Sequence, residues 1–441
     1  MINRNNSASS VPRGRLKRLA HLGGLAGRVA GGMLAEGMRQ VASGNLPRAA
    51  DLALTPGNAR RVAEKLSELR GAAMKVGQLL SMDAGDILPA ELTDILARLR
   101  ADARPMPMSE VVAVMQASFG QGWEQQFKRF SFTPMAAASI GQVHAAISQS
   151  DRQLAIKIQY PGIAQSIDND VDNVATLLRV SRLLPDGLDL HPLLQEAKRQ
   201  LHEEADYQLE AGHLRNFAVA LEDTPELLVP GVDEHFTRSN ILAMDLLEGE
   251  PIESLATASQ ATRDRVVELL LELLFRELFE FGMIQTDPNF ANFLYNTSTR
   301  QLGLLDFGAT RVYPVEVIAA YRGLLEAALR EDHAAMSVNA RAIGYFRNDI
   351  HAQQRAAVIG LFVLATEPAR THGRYDFGES DLAIRIRDAG MALSFEQGYW
   401  HTPPADAVFL HRKLGGLYLL AARLRAKVDV RIILERYLHH E

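Results

Sequence analysis

The chain has 441 residues, 47% hydrophobic and 23% charged, with no cysteine and a formal net charge of −6. These values exclude a disordered or collagen-like chain and a disulfide-stapled mini-protein. The missing cysteines also exclude thiolate metal sites and thiol nucleophiles. The charge is uneven: residues 1–40 carry seven basic side chains (Arg4, Arg13, Arg15, Lys17, Arg18, Arg28, Arg39) against Glu36 alone, so that they hold +6 and the remaining 401 residues hold −12. An acidic body argues against nucleic acid as a partner, since a phosphate backbone asks for a positive footprint.

Residues 1–15 read as a disordered basic arm, and the basic head 1–40 as either a solvated tail or a contact for an anionic membrane surface or an acidic partner. The start is also acid-poor and arginine-bearing, as transit peptides are. Sequence with structural character begins by Leu16, however, and leaves little room for a removable leader. The best candidate for a membrane span, Leu19–Ala35, is broken by Arg28 and five glycines. It falls short of the roughly 20 apolar residues that a span requires. A helix lying on the surface stays open.

A long helix is expected over 58–82, because Val62, Leu66, Leu69, Ala73, Val76 and Leu80 step by three or four. Further helices are expected over 90–100 and 109–127. Short alternating or β-branched runs follow at 130–132, 141–148 and 153–160, the last two joined by a polar turn and read as a hairpin. Helices are expected over 167–184 and 192–217, and strands at 226–229 and 240–246. Beyond Glu253 the pattern is helical except at 292–295 and 301–306. The order is thus a helical extension (16–127), a small β-rich lobe with inserted helices (128–247) and a large helical lobe (248–441). Such a mostly helical α+β chain has the two-lobe order of protein-kinase-like folds, although pattern alone does not separate it from other α+β arrangements.

Four elements carry chemistry. Leu305-Asp306-Phe307-Gly308 follows a short apolar strand. A kinase Asp in this setting holds Mg²⁺ beside the nucleotide phosphates, and the plain alternative is an Asp capping a turn. Asp287 and Asn292 have the spacing of a kinase catalytic loop, in which the Asp orients or deprotonates the nucleophile and the Asn takes a second Mg²⁺ position. Oxygen donors of this kind suit Mg²⁺. Ala155-Ile156-Lys157 matches the strand lysine that contacts the α/β-phosphates. That lysine needs a helical carboxylate, for which Glu204, Asp206 and Glu210 are available, the last two read as four apart on one helix face. Ala136-Ala137-Ala138-Ser139-Ile140-Gly141-Gln142 stands where a phosphate-binding glycine loop would be. Its alanines crowd the loop, whereas Ser139 still offers a hydroxyl. Taken singly, the loop and the acidic helix are better read as a small-residue turn and a solvated face.

Together with Met74-Lys75-Val76-Gly77-Gln78, these motifs resemble the UbiB family of atypical kinases, which combines an alanine-rich loop with an N-terminal K-x-G-Q helix. The E-x-D element of that family is matched by Glu204 and Asp206. Gln285–Asn289, Leu305–Tyr313 and the head segment 11–36 are similar to the mitochondrial coenzyme Q kinase branch more than to the bacterial UbiB branch. The resemblance runs from about Val11 to Tyr313 and more loosely beyond.

The resemblance implies an atypical protein-kinase-like two-lobe fold with the N-terminal extension over the active site. It implies that Lys157 contacts the phosphates of ATP or ADP and pairs with Glu210. Ala136, Ala137, Ala138 and Ser139 would cover the nucleotide, and Met244, Asp245, Leu246 and Leu247 would form the hinge that takes adenine. Asp287 would be the catalytic Asp, with Asn292 and Asp306 binding Mg²⁺. Lys75 and Gln78, which share a helix face, would meet Glu204 and Asp206. The implied partners are a nucleotide, a membrane lipid or quinone precursor, ubiquinone-biosynthesis proteins and a second copy in a homodimer. The implied place is the bacterial cytoplasm, peripherally on the inner membrane, or the mitochondrial matrix face in a eukaryote.

Two departures bear on function. Members of the bacterial branch carry C-terminal spanning helices, and the ending at Arg431–Glu441 shows none, so peripheral membrane contact is expected. A helix is also expected from Pro314, almost directly after Gly308, where protein kinases place a long activation segment and an A-P-E element. This argues against a polypeptide substrate. Three readings stay open: Mg²⁺-dependent ATP hydrolysis supporting ubiquinone biosynthesis, a small-molecule or lipid kinase with its acceptor hydroxyl near Asp287, and a nucleotide-sensing scaffold.

Overall fold

The computed structural model describes residues 72–73, 75–76, 105–181, 191–287, 289–346, 349–397, 399 and 403–438. The basic arm, the stretch 19–35, the helix expected over 90–100, most of that expected over 58–82, and Gln78 lie outside the described residues. The chain divides into two compact units. One runs to Ala211 and is completed by Val232–Leu246, and the other takes Gly212–Gly231 and the chain from Leu247 onward. The excursion 212–231 leaves the expected 128–247 lobe because Leu227–Leu228 pairs in a sheet of the second unit.

The first unit is built on an antiparallel sheet. Its strands are β1 (Phe127–Phe130), β2 (Ala136–Ala137), β3 (Gly141–Ser148), β4 (Gln153–Gln159) and β6 (Ile241–Asp245), with β5 (Leu227–Leu228) belonging to the second unit. The order is β1-β3-β4-β6, and β2 lies on β3. The first strand starts earlier than the 130–132 expected. Helix α1 (Met108–Phe119) and Trp123 pack under the sheet: Val111, Met115 and Trp123 join Phe127, Leu154, Ile156, Ile158 and Ile241 in one core. The segment 105–127 therefore belongs with the β lobe and not with a separate extension, because its apolar face is what the sheet buries. Val143 faces Lys157 across the hairpin. Gly141 is obligatory where the alanine-rich loop enters β3, since a Cβ there would stand 2.2 Å from the Ile158 carbonyl oxygen.

Three helices follow the hairpin: α2 (Ile163–Ser181), α3 (His191–Glu204) and α4 (Tyr207–Ala220). The single helix expected over 192–217 is thus two. Asp206 ends it, because its Oδ1 accepts from the amides of Gln208 (3.0 Å) and Leu209 (3.3 Å) and so caps α4. Asp206 and Glu210 consequently do not share a helix face as read from the spacing.

In the second unit, strand order is β5-β10-β9-β7, from β7 (Glu250–Pro251), β9 (Phe293–Asn296) and β10 (Gln301–Leu304). Helix α5 (Gln260–Arg276), capped by Ser259, buries Val266, Leu270, Leu273 and Leu274. It runs into a π-helical turn, Glu277–Phe281, closed by Gly282 at φ 60°. Strand β8 (Met283–Gln285) then pairs with β11 (Thr310–Val312), a ladder too short to show in the sequence. Helix α6 (Val315–Leu329) follows, and then α7 (His333–Ile343), α8 (Ala352–Ala365), α9 (Glu367–Arg370), α10 (Leu382–Met391), α11 (Ala405–Arg423) and α12 (Val430–Leu438). Among the described residues no helix is long and apolar enough to cross a membrane.

Candidate functional site

In the first unit the hairpin register turns the Lys157 side chain to the interior, where it is 7% exposed. Both carboxylate oxygens of Glu210 accept from its Nζ at 2.9 Å, and the Tyr207 ring centroid lies 5.1 Å away. Glu210 is 1% exposed. An ammonium buried so deeply is tolerable only because a carboxylate meets it there. Helix α4 delivers that carboxylate one turn after its Asp206 cap. Replacing Asp206 by Ala should cost about 1 kcal/mol of stability in a urea titration, the ordinary value of an N-cap, with Asp206→Asn close to wild type.

A second cluster joins the alanine-rich loop to α3. Glu204, the last residue of α3, takes an ion pair from Lys75 on one oxygen and a hydrogen bond from Ser139 Oγ on the other, at 2.9 Å. Lys75 lies in helical conformation with Ala72, Ala73 and Val76 buried beside it. Of the expected E-x-D pair, Glu204 meets Lys75, whereas the Asp206 oxygen described caps α4. Ala136 and Ala137 are exposed in β2, and Ala138 and Ser139 are half-buried. At the other edge Met244 and Asp245 are in β6, and the Leu246 amide donates to Gln153 O at 3.0 Å. The Asp245 carboxylate receives Arg152 at 2.6 Å, and Arg152 also reaches Asp233 at 2.8 Å. Asp245 holds the Arg152 guanidinium pKa above its usual value. Arg152 had read only as part of a polar turn.

In the second unit Asn292 Nδ2 donates to Asp287 Oδ2 at 3.1 Å, and Arg412 of α11 lies 3.6 Å from Asp287 Oδ1. Gln285 Nε2 donates to the Asp287 main-chain oxygen at 3.0 Å. Asn292 ends a 3₁₀ turn whose Asn289 caps it, and the Asn292 carbonyl accepts from the Leu305 amide at 3.0 Å. That bond sets Asn292 beside the residue preceding Asp306. Asp306 Oδ1 accepts from the Gly308 amide at 2.9 Å. The Phe307 ring is buried against Phe217, with centroids 4.6 Å apart, and the Phe307 carbonyl accepts from Thr310 Oγ1 and lies 3.1 Å from His213 Nδ1. Arg412, His213 and the buried pair Glu277–Lys413 were not found from the sequence. Lys413 had a readable signal: with Leu410, Leu417 and Leu420 it occupies one helix face that is otherwise apolar.

A strand lysine held by a helical carboxylate in a mostly antiparallel β unit, and an Asp/Asn loop followed by Asp-Phe-Gly in a helical unit, define an α+β protein of the atypical kinase-like class. The profile of the ABC1 atypical kinase-like domain matches residues 98–340. The mitochondrial atypical kinase COQ8 of Saccharomyces cerevisiae is 40% identical over 425 residues, covering 96% of this chain and 84% of that one. The mitochondrial atypical kinase COQ8B of Rattus norvegicus is 36% identical over 432 residues, covering 97% and 81%. The probable protein kinase UbiB of Cellvibrio japonicus is 31% identical over 270 residues, covering 57% and 48%. Among solved structures, the Rv3197–erythromycin complex from Mycobacterium tuberculosis matches with a TM-score of 0.59 and 26% identity, over 84% of this chain and 93% of that one. The chain belongs to the UbiB family of atypical kinases, and it is an enzyme of the kinase class.

Proposed function

We propose that the chain binds Mg²⁺-ATP and uses it, as an atypical kinase or ATPase, in ubiquinone biosynthesis at a membrane surface. The observation that carries the reading is the buried Lys157–Glu210 pair, held through both carboxylate oxygens at 2.9 Å in a chain related to the COQ8 kinases. Burial and an oriented carboxylate hold the ammonium in one place, as a phosphate contact requires. Ser139 and the alanines before it cover the nucleotide. The segment 244–247, whose Leu246 amide donates to Gln153, takes the adenine edge.

Asp306 and Asn292 are the metal-binding oxygens and Asp287 orients the attacking hydroxyl or water. The donor set fits Mg²⁺: by donating its Nδ2 to Asp287, Asn292 keeps its Oδ1 as an acceptor. Among the described residues no group of three or more His, Asp or Glu side chains could hold a metal unaided. That suits an ion usually held by one or two carboxylates together with substrate phosphates. When bound, Mg²⁺ supplies neutralisation of the β- and γ-phosphate charge.

Only residues 309–314 separate Gly308 from α6, and half of them form β11. No length is left for the segment on which protein kinases dock a peptide. This favours water or a small-molecule hydroxyl as acceptor. The test is γ-labelled ATP turnover by the purified chain with Mg²⁺, anionic phospholipid vesicles and a phenolic quinone-precursor mimic. Label in free phosphate or in the lipid fraction, lost on chelating Mg²⁺, is expected. Turnover insensitive to chelation, or label confined to protein, would overturn the reading.

A further inference from the structure

No role assigned above uses Glu277 or Lys413, yet the two form the more deeply buried kind of charge pair, at 1% and 5% exposure. Burial pushes the Glu277 carboxyl pKa up and the Lys413 ammonium pKa down, and each partner's charge opposes the other's shift. Stability alone gives little reason to keep such a pair, because well-packed apolar residues of similar size often serve as well or better. Its surroundings suggest another reason. Glu277 opens the π-helical turn that ends α5, a kind of local irregularity common near functional sites. One carboxylate oxygen is bonded to Lys413. The other accepts from the Gln285 amide, at a long 3.4 Å. Gln285, 6% exposed, passes its own side-chain N–H to the Asp287 carbonyl at 3.0 Å. Lys413, Gln285 and Asp287 line one small cavity with Leu270, Leu273 and Leu417. In so apolar a setting the carboxylate is a strong and directional anchor.

We propose that Lys413 is a positioning residue for Asp287: it fixes the Glu277 carboxylate, which holds the Gln285 amide, which sets the Asp287 backbone. Lys413 touches no reacting atom. The inference rests on the reading of Asp287 given above, and its test carries one arm independent of that reading. Lys413→Met alone leaves a buried, unpaired carboxylate and is expected to be poorly folded. The informative variant is Glu277→Met/Lys413→Met, which fills the same volume without charge. It should melt near wild type, yet its kcat should fall about 10- to 100-fold, the scale of a small misplacement, with KM for ATP unchanged within about twofold. Amide exchange of residues 285–287, followed by mass spectrometry in the full chain, should quicken about tenfold while β3 and β4 keep their protection. Glu277→Gln/Lys413→Met, which keeps an oxygen for the Gln285 amide and leaves no buried charge, should retain more kcat than the first double variant and decides the matter if that variant does not fold. A stable Glu277→Met/Lys413→Met variant with wild-type kcat and wild-type exchange would overturn the proposal, because packing alone would then explain the pair. Should the wild type turn over no ATP, the nucleotide reading fails, and exchange by itself decides: unchanged protection at 285–287 refutes the positioning role, and quickened exchange upholds it.

Discussion

Asp306→Asn should leave the protein folded and stop its Mg²⁺-dependent ATP turnover, by about 10²-fold or more. The two halves of that expectation come from two oxygens of one side chain. Oδ1 accepts from the Gly308 amide at 2.9 Å and closes the turn in front of β11. Asn offers the same carbonyl oxygen in the same place, so the turn survives and stability should change by no more than about 0.5 kcal/mol. What Asn lacks is the charge. A divalent ion held by few protein oxygens depends on each carboxylate, and electrostatic stabilisation of a transferring phosphoryl group is commonly the largest single contribution to rate. Thermal melting and steady-state kinetics with a Mg²⁺ titration check both halves. Wild-type turnover in Asp306→Asn would mean that Asp306 does no more than cap a turn, the plain reading that its local geometry also satisfies. Asp306→Ala would not separate the two, since it removes the cap along with the charge.

The parts of this molecule that were legible in the sequence share a property: they are encoded by neighbours. The β3–β4 hairpin was found to within one residue because both strands alternate or carry β-branched residues around a polar turn, and Lys157 came with it. The pairing of Asp287 with Asn292 needed only a five-residue spacing. Legibility failed where a distant contact decides. Nothing in Glu203-Glu204-Ala205-Asp206-Tyr207 breaks a helix by composition, having neither Gly nor Pro, and the break comes from Asp206 folding back onto the amides that follow it. Residues 105–127 read as part of a helical extension until Met106, Val111 and Trp123 proved to lie under the sheet. Arg412 reaches Asp287 from 125 positions downstream, a link that no local pattern carries. The resemblance to a known family carried the contact between Lys75 and Glu204, which residue pattern by itself would have left as a solvated lysine and an acidic helix face.

The second large effect is expected at the Lys157–Glu210 pair, and it separates stability from function. Glu210→Ala should destabilise the protein by about 3–5 kcal/mol, because it strands an ammonium that is 7% exposed. Lys157→Met should cost a similar amount for the opposite charge. Neither single variant is then informative about nucleotide, since a loss of turnover could follow from partial unfolding. Lys157→Met/Glu210→Leu removes both charges and keeps most of the volume, and replacement of a buried pair in this way is often neutral. Its melting temperature should return to within a few degrees of wild type, while ATP turnover stays at least about 10²-fold down, as the phosphate contact proposed for Lys157 requires. Lys157→Arg gives the finer measurement. The guanidinium keeps the charge and can take both Glu210 oxygens, yet it is planar and bulkier than the compact ammonium that sits over the Tyr207 ring. Stability should largely survive in that variant and turnover should not, if the lysine is held for a phosphate; equal retention of both would show that any buried cation opposite Glu210 suffices and that the pair serves the fold alone.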